Sequence, residues 1–210
     1  MRFSGSGFLF FCCICMAVIA CNNKPAPDKP LSLEINEGYF AEIAQHRTGL
    51  NNYFRSENSP LSDSMKNIFT EIPYYDVDTN FRVVAEFEKI DNGPVFKIAA
   101  SGNIADQYKT MGLLHFQLNN NRFVLEVYRN ESMKGEGADN YFIPFFDKTN
   151  GIETYAGGRY LDIPAIKGEK VILDFNYAYQ PYCVYNYDYS CPIPPLQNVV
   201  NTEIRAGERM

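Results

Sequence analysis

Histidine is scarce in this chain, with two in 210 residues. Neither His46 nor His115 sits in a partner pattern, so HExxH-type zinc chemistry and a histidine-activated serine or cysteine nucleophile have no sequence support. A GxxxxGK[ST] phosphate loop and an internal repeat of fixed period are missing too. There is no basic run, and 25 acidic residues outnumber 19 basic ones. A nucleic-acid partner, which needs a basic surface, is therefore not expected. The longest apolar run, Phe8 to Ile19, is about 12 residues, short of the roughly 20 that span a bilayer.

That short run does fit an export signal. Arg2 gives a positive start, and Val18-Ile19-Ala20-Cys21 has the small-residue-then-Cys form of a bacterial lipoprotein cleavage box. Residues 1–20 are expected to be the signal, with Cys21 lipidated as the first mature residue. Removing the signal takes away Arg2 and no acid, which shifts the net charge from −6 to −7. Residues 21–30 form a tether, with three prolines and no sizeable apolar side chain after the cysteine. The expected location is the cell envelope, with the membrane as a partner through the lipid. Asn22 and Asn23 stand where an inner-membrane retention Asp would lie, which favours the outer membrane, with either a periplasmic or a surface-facing orientation.

Of six cysteines, Cys12, Cys13 and Cys15 leave with the signal and Cys21 takes lipid, so Cys183 and Cys191 remain as a pair. In an exported chain they are expected to form a disulfide, worth about 2–3 kcal/mol for so short a loop. The rival is a metal site, but zinc pairs usually have two to four intervening residues, and only two histidines could join. No metal ligands are assigned and no cofactor is implied.

Residues 31–210 suit a single domain with a real core. A helix is expected over about Ile35 to Phe54, with Phe40, Ile43, Leu50 and Phe54 on one face and Arg47 in line. Ser62 can cap a short second helix through Phe69. From Phe81 the period falls to two. Phe81, Val83, Ala85 and Phe87 mark a strand, Val95 to Ala100 and Tyr108 to Leu118 follow, and Asn119-Asn120-Asn121 makes a hairpin to a strand through Phe123, Leu125 and Val127. His115 should point away from the core. Arg129 to Asn140 reads as a solvated loop, with a lid as the alternative. The expected fold is mainly β with an N-terminal helix, an antiparallel β-sandwich or partly open β-barrel.

The stretch from Tyr141 to Pro195 carries the unusual chemistry. Phe142 to Phe146 reads as a strand, and a turn at Asp147 to Gly151 lets Glu153 to Tyr155 pair back. Gly157 and Gly158 bare the backbone beside Arg159, which could grip a carboxylate or phosphate, or could lock the fold by pairing with Asp147, Asp162 or Asp174. Val171, Leu173 and Phe175 mark a core strand that turns Asp174 and Asn176 to the opposite face. Six tyrosines fall between Tyr177 and Tyr189, suiting either a ligand or a roof over the core. Val199 to Arg205 could return as an edge strand. Candidate binding residues are Tyr155, Gly157, Gly158, Arg159, Asp162, Asp174, Asn176, Tyr179 and Tyr182.

The runs PFFDKTNGIETYAGGRYLD, LDFNYAYQPYCVYN, CPIPPLQN and EIRAGE resemble the C-terminal signature of the domain-of-unknown-function family 1684. HRTGLNNYFRSENSPL resembles its opening helix. Gln180 stands where the family pattern carries Asn. The resemblance implies no activity, and family members without export signals carry the same cysteine pair. Three functions stay open: an envelope module binding an unknown ligand or protein; a hydrolase of envelope glycans or acyl groups using Asp147, Glu153, Asp162 or Asp174, with or without a metal; and a purely structural envelope protein.

Overall fold

The computed structural model of the chain describes residues 1, 33, 35–102, 106–135 and 137–210. The expected signal, Cys21 and the tether lie outside them. Leu31–Met210 is one compact unit.

Two helices precede the sheet. Helix α1 spans Glu37–Phe54 and is capped by Asn36, whose side chain accepts from Tyr39 N. Its buried residues are Tyr39, Ile43 and Phe54. Phe40, expected on the inner face, is exposed instead. Tyr39 takes the inner place because its hydroxyl donates to Asp174 Oδ2 at 2.9 Å, a bond that phenylalanine could not make. Helix α2 is one turn, Asp63–Lys66, capped by Ser62 as expected.

Strands β1 (Arg82–Lys89), β2 (Val95–Lys97), β3 (Gln107–Leu118), β4 (Asn121–Asn130), β5 (Tyr141–Asp147), β6 (Arg159–Ile163), β7 (Lys170–Asp174) and β8 (Val199–Val200) follow. They form one mainly antiparallel eight-stranded sheet, curled into a half-barrel, with the path β6-β5-β4-β3-β1-β7; β2 joins β3 and β8 joins β5. The β3–β4 hairpin closes with Leu118 opposite Asn121. Asn119 and Asn120 both take positive φ, at 49° and 63°, the backbone that a two-residue hairpin turn demands.

The main core lies on one sheet face, where Leu114, Leu125, Ile143, Phe145, Leu173 and Phe175 are fully buried. Each such side chain contributes roughly 1.5–3 kcal/mol by leaving water. In β3 every even residue from Tyr108 to Leu118 is buried, yet they do not share one face. Thr110 pairs with Tyr128 and Gly112 with Val127, so the register shifts by one residue between them. Such a bulge reverses which parity faces which side. Leu114 and Phe116 therefore enter the main core, while Tyr108 packs on the other face with Tyr128 and Ile98.

Strand β5 is shared. Its ladder to β4 has a single pair, Tyr128 with Phe142, and Pro144 has no N–H to extend it. The buried Asn198 side chain fills the opening, accepting from Glu126 N at 2.8 Å and donating to Glu126 O at 2.9 Å and Pro144 O at 2.8 Å. Beyond it, β8 runs parallel to β5. The strand expected at Glu153 to Tyr155 does not form. Gly151 N donates to Thr154 O at 2.8 Å and the Thr149 and Thr154 hydroxyls meet at 2.8 Å, which closes a loop, and the return strand is β6. The expected strand over Val199 to Arg205 shortens to two residues, because the chain beyond Thr202 turns onto the Arg159 side chain.

Candidate functional site

Arg159 is fully buried and holds no exposed binding position. Its Nη2 donates to Asp147 Oδ2 at 2.8 Å and Ile204 O at 2.6 Å, and its Nη1 to Ala206 O at 2.6 Å and Glu208 O at 3.1 Å. The other Asp147 oxygen accepts from Thr149 N at 2.8 Å and Ile204 N at 3.2 Å. One guanidinium thus fastens residues 204–208 to the end of β5, a fork that a lysine point charge cannot reproduce. Gly158 stands with φ +89°, and a Cβ there would lie 2.6 Å from Pro194 Cγ and 2.8 Å from Phe145 O. Gly207 is equally constrained, since a Cβ would lie 2.3 Å from Ala178 O. Gly157 faces the ring of Tyr155, and protein atoms occupy the bare patch expected for a ligand.

Asp174 and Asn176 form a second internal lock. Asp174 Oδ1 accepts from Asn176 N at 3.0 Å and Asn176 Nδ2 at 2.9 Å, and Arg82 Nε approaches Oδ2 at 3.4 Å. Asn176 Nδ2 also donates to Asp78 O at 2.9 Å, and its Oδ1 accepts from Asp78 N at 3.0 Å. Both residues are buried, because the chain leaves β7 in a short 3-10 turn that Asp174 caps. The opposite-face exposure expected from strand alternation ends there. Glu153 pairs with Arg205 at 2.7 Å and accepts from the Tyr75 hydroxyl at 3.0 Å.

Cys183 and Cys191 are buried and drawn as free thiols, so the expected disulfide is not shown. Cys191 Sγ accepts from Cys183 N at 3.2 Å, and the Cys183 thiol donates to Tyr155 Oη at 3.9 Å. Gln180 performs the amide role at its position. Its Oε1 accepts from Tyr155 N at 2.9 Å and its Nε2 donates to Arg209 O at 3.1 Å.

The open chemistry lies on the sheet face opposite the main core, in a cleft of about 640 Å³. Tyr108, Phe142, Tyr160 and Tyr179 form a continuous aromatic wall, with successive ring centroids 5.5, 4.9 and 5.6 Å apart. Leu50 and Phe54 of α1, Tyr182 and Tyr189 complete the sides, and Met133, Gly137, Ala138 and Asn140 bring the expected solvated loop to the rim. The Tyr-rich segment is stitched to β6 by Tyr160 N to Tyr179 O at 2.9 Å and Tyr179 N to Tyr160 O at 3.0 Å. This bridge carries the Tyr179 ring over Asp162, whose Oδ2 accepts its hydroxyl proton at 2.5 Å.

Asp162 is exposed to the open cleft, and the protein crowded around it raises its pKa through partial desolvation, against the lowering effect of the Tyr179 bond. Among the described residues no Lys or Arg pairs with it. Asp106, also lining the cleft, accepts from Asn130 Nδ2 at 3.0 Å. Glu208 lies at the floor, 3% exposed, and burial pushes its carboxyl up to about 7 although Gln180 N donates to it at 2.8 Å. His46 stands at one side, its pKa lowered by burial and then by Arg47.

Of the residues singled out from sequence, the structure brings Asp162, Tyr179 and Tyr182 together at the cleft. Tyr155, Gly157, Gly158, Arg159, Asp174 and Asn176 belong to the framework behind it. Tyr108, Phe142, Tyr160, Asp106 and Glu208 were not singled out. An available signal was the aromatic alternation Tyr141-Phe142-Ile143 in β5, which requires both faces of the strand to be covered.

A sequence profile described as "Protein of unknown function (DUF1684)" matches residues 67–209. The chain belongs to this family. The match holds all four resembling C-terminal runs, while helix α1, where the family's opening helix was expected, precedes it. Among solved structures, the solution structure of an uncharacterized protein of Haloarcula marismortui is similar, with 29% sequence identity and a TM-score of 0.67 over 83% of this chain and 95% of that one. No curated protein matches. The DUF1684 signature runs supply both parts: Arg159 and Asp147 at one lock, Asn176 and Asp174 at the other and Asn198 in the β4–β5 opening, while Tyr160, Asp162 and Tyr179 of the same runs line the cleft.

Proposed function

We propose that this DUF1684 protein is a lipid-anchored binding module of the cell envelope that takes a small ligand into the Asp162 cleft. The supporting observation is the concave aromatic wall around a carboxylate that has a hydroxyl donor but, among the described residues, no Lys or Arg partner. Its volume falls within the range of small-molecule pockets. Asp147, Glu153 and Asp174, expected as partners in a hydrolase, are each engaged in internal pairs, so of the four carboxylates only Asp162 faces the cleft. The structural reading accounts for Arg159, Asp174 and Asn176 and leaves the cleft unexplained.

A small-molecule library screened by amide NMR should shift resonances of residues 160–162 and 179–182. Hits that leave these unmoved, or that map elsewhere, would refute the binding reading.

The anchor is proposed from Val18-Ile19-Ala20-Cys21, with outer-membrane placement from the following asparagines. Changing Cys21→Ser should move the protein from the membrane pellet to the soluble fraction, and a variant that still pellets would remove the lipoprotein reading. In an oxidising envelope the adjacent thiols of Cys183 and Cys191 are proposed to close by exchange with an oxidised dithiol partner. The exported protein should then be lighter by two hydrogens until it is reduced; an unchanged mass on reduction would mean that the pair stays free.

A further inference from the structure

We infer that the ligand of the cleft is an organic cation, an alkylammonium or quaternary ammonium group held between the aromatic wall and the Asp162 carboxylate. This rests on the binding reading above and names the class of ligand.

The charges facing the cleft have one sign. Asp106 and Asp162 line it, with Glu208, whose carboxyl is raised to about 7 by burial, at the floor; no Lys or Arg lines it among the described residues, and His46 is held towards its neutral form. An anionic ligand would meet carboxylates with no counter-charge. Asp162 is exposed to solvent in the open cleft, and a ligand that covers it without bringing a positive charge would strip the carboxylate of water uncompensated. Asp162 has Tyr179 Oη as its hydrogen-bond donor and lacks a cationic partner among the described residues. A ligand carrying the positive charge would complete it.

The hydrogen-bonding capacity points the same way. The Tyr179 hydroxyl donates to Asp162 and that of Tyr160 to Pro192 O. The Asn130 amide donates to Asp106, and both ends of the Gln180 amide are engaged within the protein. Those groups are spent within the protein, and beside them the cleft presents the carboxylate oxygens of Asp106 and Asp162 and the ring faces. A sugar needs donors as well as acceptors, whereas an ammonium group needs acceptors alone. Aromatic rings attract cations through the negative potential of their faces when the charge lies within about 6 Å of the ring centre. Phe142, Tyr160 and Tyr179 present such rings beside Asp162.

The test compares three probes on the full protein by calorimetry and amide NMR. These are choline, the neutral alcohol in which carbon replaces its ammonium nitrogen, and glucose. Choline is expected to bind at least about tenfold more tightly than its neutral isostere and to shift residues 160–162 and 179–182. Changing Asp162→Asn keeps an acceptor for the Tyr179 hydroxyl, so the variant should melt as the parent does while losing that preference. Equal or tighter binding of the isostere or of glucose in the cleft would overturn the cation assignment and leave the binding reading standing. A preference for choline that survives in Asp162→Asn would overturn it also. No cleft shift from any probe would overturn the cation assignment, and the same silence from the library screen would remove the binding reading with it.

Discussion

Replacing Arg159 by methionine is expected to destabilise the protein by about 3–5 kcal/mol, the range for breaking a buried ion pair from one side. The loss has two parts. Asp147 keeps a buried charge without its partner, and the carbonyls of Ile204, Ala206 and Glu208 lose their donors. Lysine should rescue little, since one ammonium cannot hold a carboxylate and three diverging carbonyls. Adding Asp147→Asn to Arg159→Met removes the orphaned charge while leaving an acceptor for Thr149 N and Ile204 N, and should recover part of the loss. Urea unfolding of the three variants measures this. A loss below about 1 kcal/mol for Arg159→Met would show that the fork does not hold the fold together.

A pH series should reveal Glu208. Its carboxyl is raised from 4.5 to about 7 by burial, so the native state holds this proton more tightly than the unfolded chain. The contribution is fully present below the unfolded value, declines as pH rises, and is gone above the folded value. Its size is about 3 kcal/mol, because each tenfold difference in proton affinity between the folded and unfolded chain is worth about 1.4 kcal/mol. His46 works in the opposite sense, because its lowered pKa stabilises the native state as pH rises through the ordinary histidine range. Asp162 acts in the direction of Glu208. The comparison that isolates Glu208 is therefore the difference between the parent and Glu208→Gln, which keeps an acceptor for Gln180 N. The parent should lose stability relative to the variant from about pH 5 to pH 8. Parallel curves would mean that Glu208 ionises at its ordinary value.

Most strands were legible because their signals are local. Ala85 and Phe87 alternate on β1 and are buried, as is Phe81 just before it, and the Asn119-Asn120 turn occurs where asparagine tolerates positive φ. Helix α1 was legible in extent but less so in facing. Phe40 and Tyr39 are both aromatic, and only the distant Asp174 makes Tyr39 the inner one. For Arg159, the two readings open from sequence differed in whether a carboxylate comes from a ligand or from Asp147. Twelve residues separate the partners, and the loop closed by Thr149 and Thr154 brings them together.

The candidate site was legible in part. Asp162, Tyr179 and Tyr182 could be singled out by type, but the wall they complete comes from strands far away in the chain. Phe142 lies opposite Asp162 across β5 and β6, and Tyr108 reaches the same face only through the bulge between Thr110 and Gly112. The glycines and Arg159 drew attention as a binding patch because close packing against protein and close approach of a ligand require the same residue types.

The sequence by itself determined the β-rich class, the places where strands turn, the family, and the segment that holds the unusual chemistry. These depend on periodicity, turn residues and motif spacing, which act within a few neighbours along the chain. The tertiary structure decided which polar residues lock the framework and which face the cleft. That choice rests on strand register and on which carboxylate meets a counter-charge, and both are fixed by residues distant in sequence: a one-residue bulge in β3 moves Tyr108 to the cleft face, and one guanidinium neutralises Asp147 while Asp162 is left without a cation.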